Sequence, residues 1–424
     1  MSQNPYRIAI AGLGTVGLGL LELISKNGDL VAKRTGRRVE VIGINARSQT
    51  KDRGLDLSSY LWVHDPLDMP DLKNVDGIVE LIGGDSGTAL SLALKTLKAG
   101  KDLITANKAL LAIHGSELAD LAAQNDAAIS YEASVAGAVP AIKTVREALL
   151  GNRIFKLGGI LNGTCNFILS SMESTGAAYE EVLEQAKALG YAEADPSTDV
   201  GGFDAAHKLT LLSSLAFDHA PDFSAVTVKG IEGVTDRALS YADRLGYRIR
   251  LVGVADEISA RVAPMAVPKD GNLGSVTGSH NALHIISDQA REIFLRGPGA
   301  GRSETASAVM GDIIDLSLGH SRAPFGVGDR ISVSSASELT ETQLVILQIS
   351  DEAGVMAALT KALAGQGVSV DQMVQPGGKD GSADVALVTH PASSHALVKA
   401  WTFIAAQDYV LAPIEAYPIE RFGE

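Results

Sequence analysis

The residues best suited to chemistry lie in one run, Gly190–Phe217 (GYAEADPSTDVGGFDAAHKLTLLSSLAF). The run places four acids in a turn-rich segment and then opens a helix that carries Lys208; the acids are Glu193, Asp195, Asp199 and Asp204. At about 100° per residue, Asp204 and Lys208 fall on the leucine face of this helix. A buried lysine needs a carboxylate partner, and a lysine held in that way can move protons. We therefore predict a site around this pair, against the alternative of an i,i+4 pair on the surface.

The composition indicates a globular intracellular protein. A chain of 424 residues is too long for one core, so two or three domains are expected. No apolar run approaches the roughly 18–20 residues of a membrane span, and the N-terminus lacks a signal-peptide pattern. The single cysteine, Cys165, suits a reducing cytoplasm, where we read it as a buried, reduced thiol. A net charge of −14 argues against nucleic acid or an anionic membrane as a partner.

A glycine pattern near the N-terminus predicts a dinucleotide site. Residues 6–26 read as a short strand, then Gly12, Gly14 and Gly17, then a helix. Such glycines allow a pyrophosphate to approach the helix N-terminus, where unpaired N–H groups favour an anion. We expect Thr15 and Val16 to take part in the same loop. A glycine-rich turn without a ligand is the alternative.

The end of the second predicted strand, Val39–Ile44, bears on the choice of cofactor. NAD-binding proteins commonly carry an acid there, but this sequence has Asn45 and then Arg47. An arginine at that position could bind a 2′-phosphate, which favours NADP over NAD slightly. Arg47 could equally be a solvated loop residue.

Two further strands lead to the same crevice. Val75–Ile82 ends in Gly83 and Gly84, and Asp102–Thr105 is followed by Lys108. Ligands of open parallel sheets bind at the carboxyl ends of the strands, so we expect Lys108 to point toward the cofactor. The alternative is a surface lysine that opens the next helix.

A strand is also predicted over Ile129–Val139, and it contains one acid, Glu132. An isolated buried glutamate needs a partner, which could be a basic residue, a backbone donor or a cation. The residues alone do not choose among these three.

The middle of the chain predicts a second α/β or α+β domain. Its strands and helices are predicted at Leu157–Leu161, Tyr179–Leu189, Asp204–Phe217, Asp236–Leu245 and Ile249–Val254. The glycine-rich loop Gly297–Gly301 then precedes a helix through Thr305–Ser317 and is suited to an anion. The chain could return to the cofactor cleft at that loop.

The C-terminal part predicts a small separate unit behind a polar linker, Ser332–Thr342. Its predicted order is βαββα, which is ferredoxin-like; the elements are Leu344–Ser350, Glu352–Gln366, Val368–Met373, Ala383–Thr389 and His395–Ala406. Because no catalytic set of residues lies in it, we interpret it as a binding or assembly module.

Several of these segments together carry a family resemblance. They are Gly12–Gly17, Thr105–Lys108, Asn162–Phe167 (NGTCNF), Gly190–Pro196, Asp199–Lys208 and Gly297–Gly301. On them the chain resembles homoserine dehydrogenase. The C-terminal segment with Asp351–Val355 (DEAGV) is similar to ACT domains, so the resemblance is to the form with a C-terminal ACT domain. The resemblance implies an α/β fold in which a Rossmann-type domain (1–135, completed by 300–325) precedes a catalytic and dimerisation domain (136–299). A linker (326–342) and a ferredoxin-like ACT domain (343–424) follow.

The resemblance also implies a reaction, the NADP- or NAD-dependent interconversion of L-aspartate 4-semialdehyde and L-homoserine, on the route to threonine, methionine and isoleucine. Lys208 would be the proton donor, Asp204 would orient it, and Lys108 would sit beside the nicotinamide and the substrate. The substrate-binding residues would be Glu193 and Asp199, which hold the ammonium group, with Gly163, Thr164 and Tyr191. The cofactor-binding residues would be Gly12, Gly14, Thr15, Val16, Gly17, Arg47, Gly83, Gly84, Lys108, Gly299 and Gly301.

Three further properties follow from the resemblance only. A sodium ion would lie at Glu132, Val135, Gly137 and Val139, held largely by backbone oxygens. Threonine would be the effector to test at the ACT domain, and the chain would form a homodimer or homotetramer. Two other functions stay open: a dehydrogenase for a different amino-acid semialdehyde, and a catalytically silent amino-acid sensor.

Overall fold

Three large sheets and one two-stranded sheet are present in the computed structural model, which describes residues 4–328, 340–376 and 381–422. Most of the predicted linker, 326–342, lies outside the described residues. The mixed α/β fold class is confirmed.

The N-terminal sheet is wholly parallel, with helices that return the chain between its strands. Its elements are β1 (Tyr6–Ala11), α1 (Thr15–Thr35), β2 (Val39–Asn45), β3 (Leu61–Trp62), β4 (Gly77–Glu80), α2 (Thr88–Lys98), β5 (Asp102–Thr105), α3 (Lys108–Gln124) and β6 (Ile129–Ser130). The strand order is β3-β2-β1-β4-β5-β6. From β1 the chain first builds the sheet toward β3 and then, from β4 onward, toward the opposite edge. The carboxyl ends of β1 and β4 therefore flank a crevice that can accept a ligand.

The strand predicted over Ile129–Val139 is wrong beyond Ser130. The chain leaves the sheet through a 3₁₀ turn at Glu132–Ser134 and then turns at Gly137, whose φ is +58°. Small apolar residues fill a buried loop as readily as a buried strand, so the pattern could not separate the two.

The middle region is built on a six-stranded sheet that is antiparallel except for one pair. Its elements are α4 (Ala141–Lys143), β7 (Ile154–Ile160), α5 (Gly163–Thr175), α6 (Tyr179–Ala188), α7 (Ser197–Val200), α8 (Phe203–Ala216), β8 (Val226–Val228), α9 (Asp236–Arg244), β9 (Tyr247–Asp256), β10 (Ala260–Pro268), β11 (His280–Ser287), β12 (Glu292–Pro298) and α10 (Arg302–Ser317). The order is β12-β11-β7-β9-β10-β8, and only β8 and β10 run parallel. Helix α8 packs on this sheet through leucines that include Leu209 and Leu212. Leu161 and Asn162 directly follow β7, and they contact the first turns of α8.

Helix α10 returns to the N-terminal sheet and packs along α1. The approach is close, because a Cβ added at Gly19 would lie 2.7 Å from the Arg302 carbonyl oxygen. Arg302 also forms an ion pair with Glu22 at 2.7 Å. Ala306 and Ile313 of α10 join the same hydrophobic core as β1, so residues far apart in sequence complete one layer.

The C-terminal region forms a four-stranded antiparallel sheet in the order β15-β16-β14-β18. Its elements are β13 (Thr340–Glu341), β14 (Gln343–Ser350), α11 (Val355–Gly365), β15 (Val370–Val374), β16 (Ser382–Thr389), β17 (Ala392–Ser393), α12 (Ser394–Ala405) and β18 (Glu415–Pro418). The arrangement is ferredoxin-like, and the sequence prediction missed its last strand, β18. Alternate residues of β14 face opposite ways: Val345 and Leu347 meet α11 and α12, whereas Leu344 and Ile346 join the core of the middle region.

Candidate active site

Asp204 is the centre of a buried charge cluster at the start of α8. Its carboxylate oxygens lie 2.7 Å from the Lys208 Nζ atom and 3.1 Å from the Lys108 Nζ atom. Burial opposes ionisation of Asp204, but the two lysines outweigh it and hold the pKa of Asp204 well below its ordinary value. The i,i+4 pair is therefore buried, as its position on the leucine face predicted, and Asp204 is a stable anion.

Lys208 is held by two acceptors. Its Nζ atom donates to Asp204 Oδ2 at 2.7 Å and to the Leu161 carbonyl oxygen at 2.8 Å. An ammonium group carries three hydrogens. Among the described residues no third acceptor contacts Lys208, so one hydrogen stays available for a ligand.

Lys108 connects the cluster to the nucleotide-binding domain. It is the first residue of α3, behind the N-cap Asn107, and its side chain is 37% exposed. Asp204 is the main cause of the raised pKa of Lys108, which keeps the lysine charged. Lys108 does open the next helix, as the alternative states, but its ammonium group is paired with Asp204 and is not simply solvated.

Asp199 lies beside the cluster and is joined to it by Asn162. The Asn162 Nδ2 atom donates to Asp199 Oδ1 at 2.7 Å and to Asp204 Oδ2 at 2.8 Å. Burial and, next, the charge of Asp204 raise the pKa of Asp199. Asn162 belongs to the NGTCNF segment, but its side chain was not among the predicted site residues.

The other acids of the run lie differently. Glu193 is exposed, yet close enough to favour the charged form of Lys108. Asp195 is also exposed, and its carboxylate accepts the N–H of Ser197 at 3.1 Å, so it belongs to a local turn and not to the cluster.

Two of the predicted substrate residues, Gly163 and Thr164, open α5 directly behind Asn162. The Thr164 hydroxyl donates to the Tyr191 carbonyl oxygen at 2.6 Å, which ties α5 to the acidic run. Gly163 packs so tightly that an added Cβ would lie 2.5 Å from the Ser279 carbonyl oxygen. The Tyr191 ring is 44% exposed and stacks on Phe167 with centroids 4.6 Å apart.

The nucleotide crevice is a cavity of about 200 Å³. It is lined by Gly14, Thr15, Val16, Gly17, Glu80, Leu81, Ile82, Gly83, Ala106 and Asn107. An added Cβ at Gly17 would lie 2.1 Å from the Gly12 carbonyl oxygen, so this turn requires glycine. Space beside Gly14 is open, and the N-terminus of α1 has no side-chain cap. Both features fit a pyrophosphate.

Glu80 is a buried residue of this crevice that the sequence prediction missed. Its carboxylate accepts the N–H groups of Ile82 and Gly83 at 2.7 and 3.0 Å and the Thr105 hydroxyl at 2.6 Å. Glu80 thereby shapes the loop that carries Gly83 and Gly84. An acid at the carboxyl end of a buried parallel strand was the available signal.

Three of the predicted cofactor residues, Arg47, Gly299 and Gly301, do not line this cavity. Arg47 is exposed just beyond β2. Gly299 packs against Asn281, whose amide an added Cβ would overlap at 2.0 Å, and Gly301 caps α10 with φ +139°. The loop of Gly299 and Gly301 enters α10, which brings it beside α1.

The Glu132 side chain has backbone donors as its partners. Its two carboxylate oxygens accept the N–H groups of Ile142 and Lys143 at 3.0 and 2.8 Å. A cation here would therefore depend on main-chain oxygens. Among the described residues, the Val135 and Gly137 carbonyl oxygens accept no main-chain hydrogen bond, while that of Val139 accepts one from Ala141. Such oxygens are suitable ligands for a hard cation.

Cys165 is a free, buried cysteine, as predicted. Its thiol donates to the Asp199 carbonyl oxygen at 3.1 Å, and burial raises the pKa of the thiol well above its ordinary value. The thiol is therefore kept protonated, which makes it a poor nucleophile.

The fold and the site define a class: an NAD(P)-dependent oxidoreductase whose lysine–aspartate cluster lies against a dinucleotide crevice. Two family models match the chain, the homoserine dehydrogenase NAD-binding domain over residues 12–132 and homoserine dehydrogenase over residues 140–314. Among the described residues no helix is long and apolar enough to cross a membrane.

Individual relatives agree with these models. A homoserine dehydrogenase of Neisseria gonorrhoeae is 38% identical over 100% of both chains. The crystal structure of a homoserine dehydrogenase from Thiobacillus denitrificans superposes with a TM-score of 0.93 at 35% identity, again over 100% of both chains. A hyperthermophilic archaeal homoserine dehydrogenase in complex with NADPH has a TM-score of 0.65 at 29% identity, over 75% of this chain and 98% of that one. The chain belongs to the homoserine dehydrogenase family, which disfavours the other semialdehyde dehydrogenase and the silent sensor.

Proposed function

We propose that Lys208 is the proton donor and acceptor for the interconversion of L-aspartate 4-semialdehyde and L-homoserine. The observation that carries this proposal is the pairing of one buried carboxylate, Asp204, with both Lys208 and Lys108. Lys108 follows Asn107, which lines the nucleotide crevice, so the cluster adjoins the position of a bound nicotinamide. When bound, the cofactor exchanges the hydride with the substrate.

The third hydrogen of the Lys208 ammonium group is the proton that the site can donate. In the reductive direction that hydrogen moves to the aldehyde oxygen as negative charge develops there, and in the oxidative direction Lys208 takes the hydroxyl proton. Asp204 and the Leu161 carbonyl oxygen accept the other two hydrogens of the Lys208 Nζ atom and hold it in place before and after the proton transfer. Lys108 adds a second positive charge beside the same oxygen.

The substrate ammonium is assigned to Asp199 and Glu193. One oxygen of Asp199 is used by Asn162, and among the described residues the other has no hydrogen-bond partner. Glu193 is exposed and lies near enough to Lys108 to favour the charged form of that lysine. Gly163, Thr164 and Tyr191 complete the walls and fix the spacing between α5 and the acidic run.

The reaction is tested by absorbance near 340 nm with homoserine, using NAD⁺ and NADP⁺ in parallel. We expect reduction of the cofactor with homoserine but not with serine or threonine. No reduction with either cofactor, in folded protein supplied with sodium, would contradict the proposal.

We propose NADP as the preferred cofactor, because Arg47 is exposed at the end of β2 where an acid would otherwise hold the ribose hydroxyls. The archaeal relative in complex with NADPH is consistent with this choice. Arg47→Asp should raise KM for NADP⁺ ~10-fold and leave KM for NAD⁺ unchanged or lower. Arg38→Ala, at an exposed ion pair with Asp29, is the control that should change neither.

A sodium ion is proposed at the turn that follows β6, bound by the main-chain oxygens of Glu132, Val135, Gly137 and Val139. The support is the backbone geometry of this turn and the hard character of its oxygen atoms. The melting temperature in sodium should exceed that in choline at equal ionic strength. Equal values in both salts would contradict the site.

The C-terminal domain is proposed to be an ACT domain that binds threonine as a feedback effector. The support is its ferredoxin-like topology and its direct packing on the middle region. Threonine should lower activity and raise the melting temperature. No change in either quantity would remove this proposal.

A homodimer through the middle region is the assembly that we propose, extended to a tetramer if the C-terminal domains also pair. The support is that β12 forms the edge of the six-stranded sheet and leaves one side open for pairing. Light scattering on the purified chain should give a mass of two or four chains. A monomer would contradict the assembly.

A further inference from the structure

We infer that Asn162 is a positioning residue, which sets the spacing between the substrate-binding carboxylate of Asp199 and the proton-transferring pair of Asp204 and Lys208. The inference rests on the roles proposed above for these three residues. It concerns a side chain that would touch neither substrate nor cofactor and would act through the groups that do.

Both hydrogens of the Asn162 amide are used on carboxylates. They go to Asp199 Oδ1 at 2.7 Å and to Asp204 Oδ2 at 2.8 Å, and the side chain is buried. Two carboxylates at this proximity repel each other, and a shared amide donor offsets that repulsion. Among the described residues, Asn162 is the only one whose side chain bonds to both.

The orientation of the amide is settled by its other end. Asn162 is the N-cap of α5, and its Oδ1 atom accepts the N–H of Cys165 at 2.7 Å. Because the oxygen is committed to the helix, the nitrogen must face the acids. A single side chain thus begins α5 and joins Asp199 of α7 to Asp204 of α8.

The neighbouring residue completes the arrangement. The Leu161 carbonyl oxygen accepts from Lys208 Nζ at 2.8 Å, so residues 161 and 162 together contact the lysine and both acids. A small zwitterion held by its ammonium at Asp199 must bring its reacting oxygen to Lys208. The distance between these two anchors therefore decides whether the bound substrate is productive, and an error near 1 Å can cost ~100-fold in rate.

The charges that face position 162 allow the donor role to be tested by pH. They are Asp199 on α7, Asp204 and Lys208 on α8, Lys108 on α3 through Asp204, and the protonated Cys165 on α5, with Glu193 exposed at the rim. Two acids and two lysines balance in this cluster. A carboxylate introduced at 162 adds one negative charge, so protonation of that group becomes more favourable.

The decisive variant is Asn162→Asp in the full-length chain. Aspartate caps a helix as well as asparagine does, so α5 keeps its cap while the two donated hydrogen bonds are lost. We expect kcat/KM for homoserine to fall ~100-fold near pH 9, with unchanged NADP⁺ binding by fluorescence. The loss should shrink toward about pH 6, because a protonated aspartic acid can again donate one hydrogen bond.

Two other variants make the result interpretable. Ser393→Asp places aspartate at the N-cap of α12, far from the cluster, and should match the wild type in kinetics at every pH. Asn162→Ser keeps a capping oxygen but is too short to reach both acids, so its loss should not depend on pH. If Asn162→Asp fails to fold, a lower kcat/KM in Asn162→Ser with an unchanged melting temperature supports the inference, and wild-type kinetics in that variant overturn it.

Several outcomes would overturn the inference. Wild-type kinetics in a folded variant at position 162 would do so, and so would a loss in Asn162→Asp that is the same at every pH, since that indicates distortion alone. These outcomes require a wild-type enzyme that oxidises homoserine. Absence of that activity in the wild type would instead refute the proposed function.

Discussion

Two polar clusters of the molecule both pair carboxylates with basic side chains, but they differ in how many of their polar atoms have a partner. The first, which we name the catalytic cluster after its proposed role, consists of Lys108, Asp199, Asp204 and Lys208, with Asn162 between the acids. The interdomain cluster joins α9 of the middle region to the C-terminal sheet. It consists of Thr235, Arg237, Tyr241, Asp384 and Glu415.

The difference lies in which atoms are satisfied. In the interdomain cluster every carboxylate oxygen accepts a hydrogen bond: Arg237 binds both acids at 3.2 and 2.7 Å, and Tyr241 and Thr235 bind the second oxygens at 2.9 Å each. In the catalytic cluster, one hydrogen of Lys208 and one oxygen of Asp199 have no partner among the described residues. A closed network holds two bodies together, whereas an incomplete one is prepared for a ligand. Removal of Lys208 from one cluster and of Arg237 from the other should therefore separate activity from stability.

The largest expected effect is that of Lys208→Ala. General acid–base catalysis contributes about 10²–10⁴-fold to the rate, so kcat should fall by a factor in that range, close to the limit of detection. Binding of NADP⁺, followed by fluorescence, should be retained, because Lys208 lies outside the nucleotide crevice. Lys95→Ala, at an exposed ion pair with Asp71, is the matched control and should leave kcat unchanged. Near-normal turnover in the Lys208 variant would show that another group moves the proton.

Asp204→Asn should have the next largest effect. The amide keeps the shape but removes the charge that orients Lys208 and pairs with Lys108. Loss of one partner from a buried pair costs about 3–5 kcal/mol, so the melting temperature should fall together with kcat, which we expect to drop ~100-fold. A variant with lower kcat and an unchanged melting temperature would contradict the buried-pair account.

The catalytic cluster also shows which contacts of the site could be predicted from the sequence and which could not. Asp204 and Lys208 could be placed together because i,i+4 spacing on a helix is a local property. Lys108 could be placed at the crevice because carboxyl ends of parallel strands meet at one edge. Asn162 could not be assigned as the link, since its contacts cross 37 and 42 residues of sequence, and no local pattern records such a separation.

The interdomain cluster was not predictable for the same reason. Asp384 and Glu415 approach α9 only once the sheet has formed, and the strand that carries Glu415 was itself missed. That strand, Glu415–Pro418, is short and contains proline, both of which weaken a strand signal. The error at Ile129–Val139 was of another kind, because a buried loop and a buried strand share the same composition.

Arg237→Gln should lower stability and leave activity almost unchanged, which is the reverse of the result expected for Lys208→Ala. It leaves Asp384 and Glu415 without their shared cation, so stability should fall by about 1–3 kcal/mol while kcat stays within twofold. If threonine acts through the C-terminal domain, its effect on activity should weaken as well. Arg153→Gln removes an exposed ion pair with Glu257 in the same region and should cost little in either quantity. A large loss of kcat in Arg237→Gln would erase the distinction between the clusters.

The smallest expected effect is the pH dependence of the stability that Asp204 contributes through its ion pairs in the catalytic cluster. The folded-state pKa of Asp204 is depressed by the two lysines, so its contribution to stability is fully present above the ordinary aspartate pKa of about 3.9. It is lost as the pH falls toward the folded-state value. The stability gap between wild type and Asp204→Asn should therefore be constant from about pH 8 to 5. Below about pH 4 it should narrow by at most ~1.4 kcal/mol per pH unit, as measured by urea unfolding. A gap that stays constant down to about pH 3 would mean that Asp204 stabilises the fold through its shape and hydrogen bonds, not through its charge.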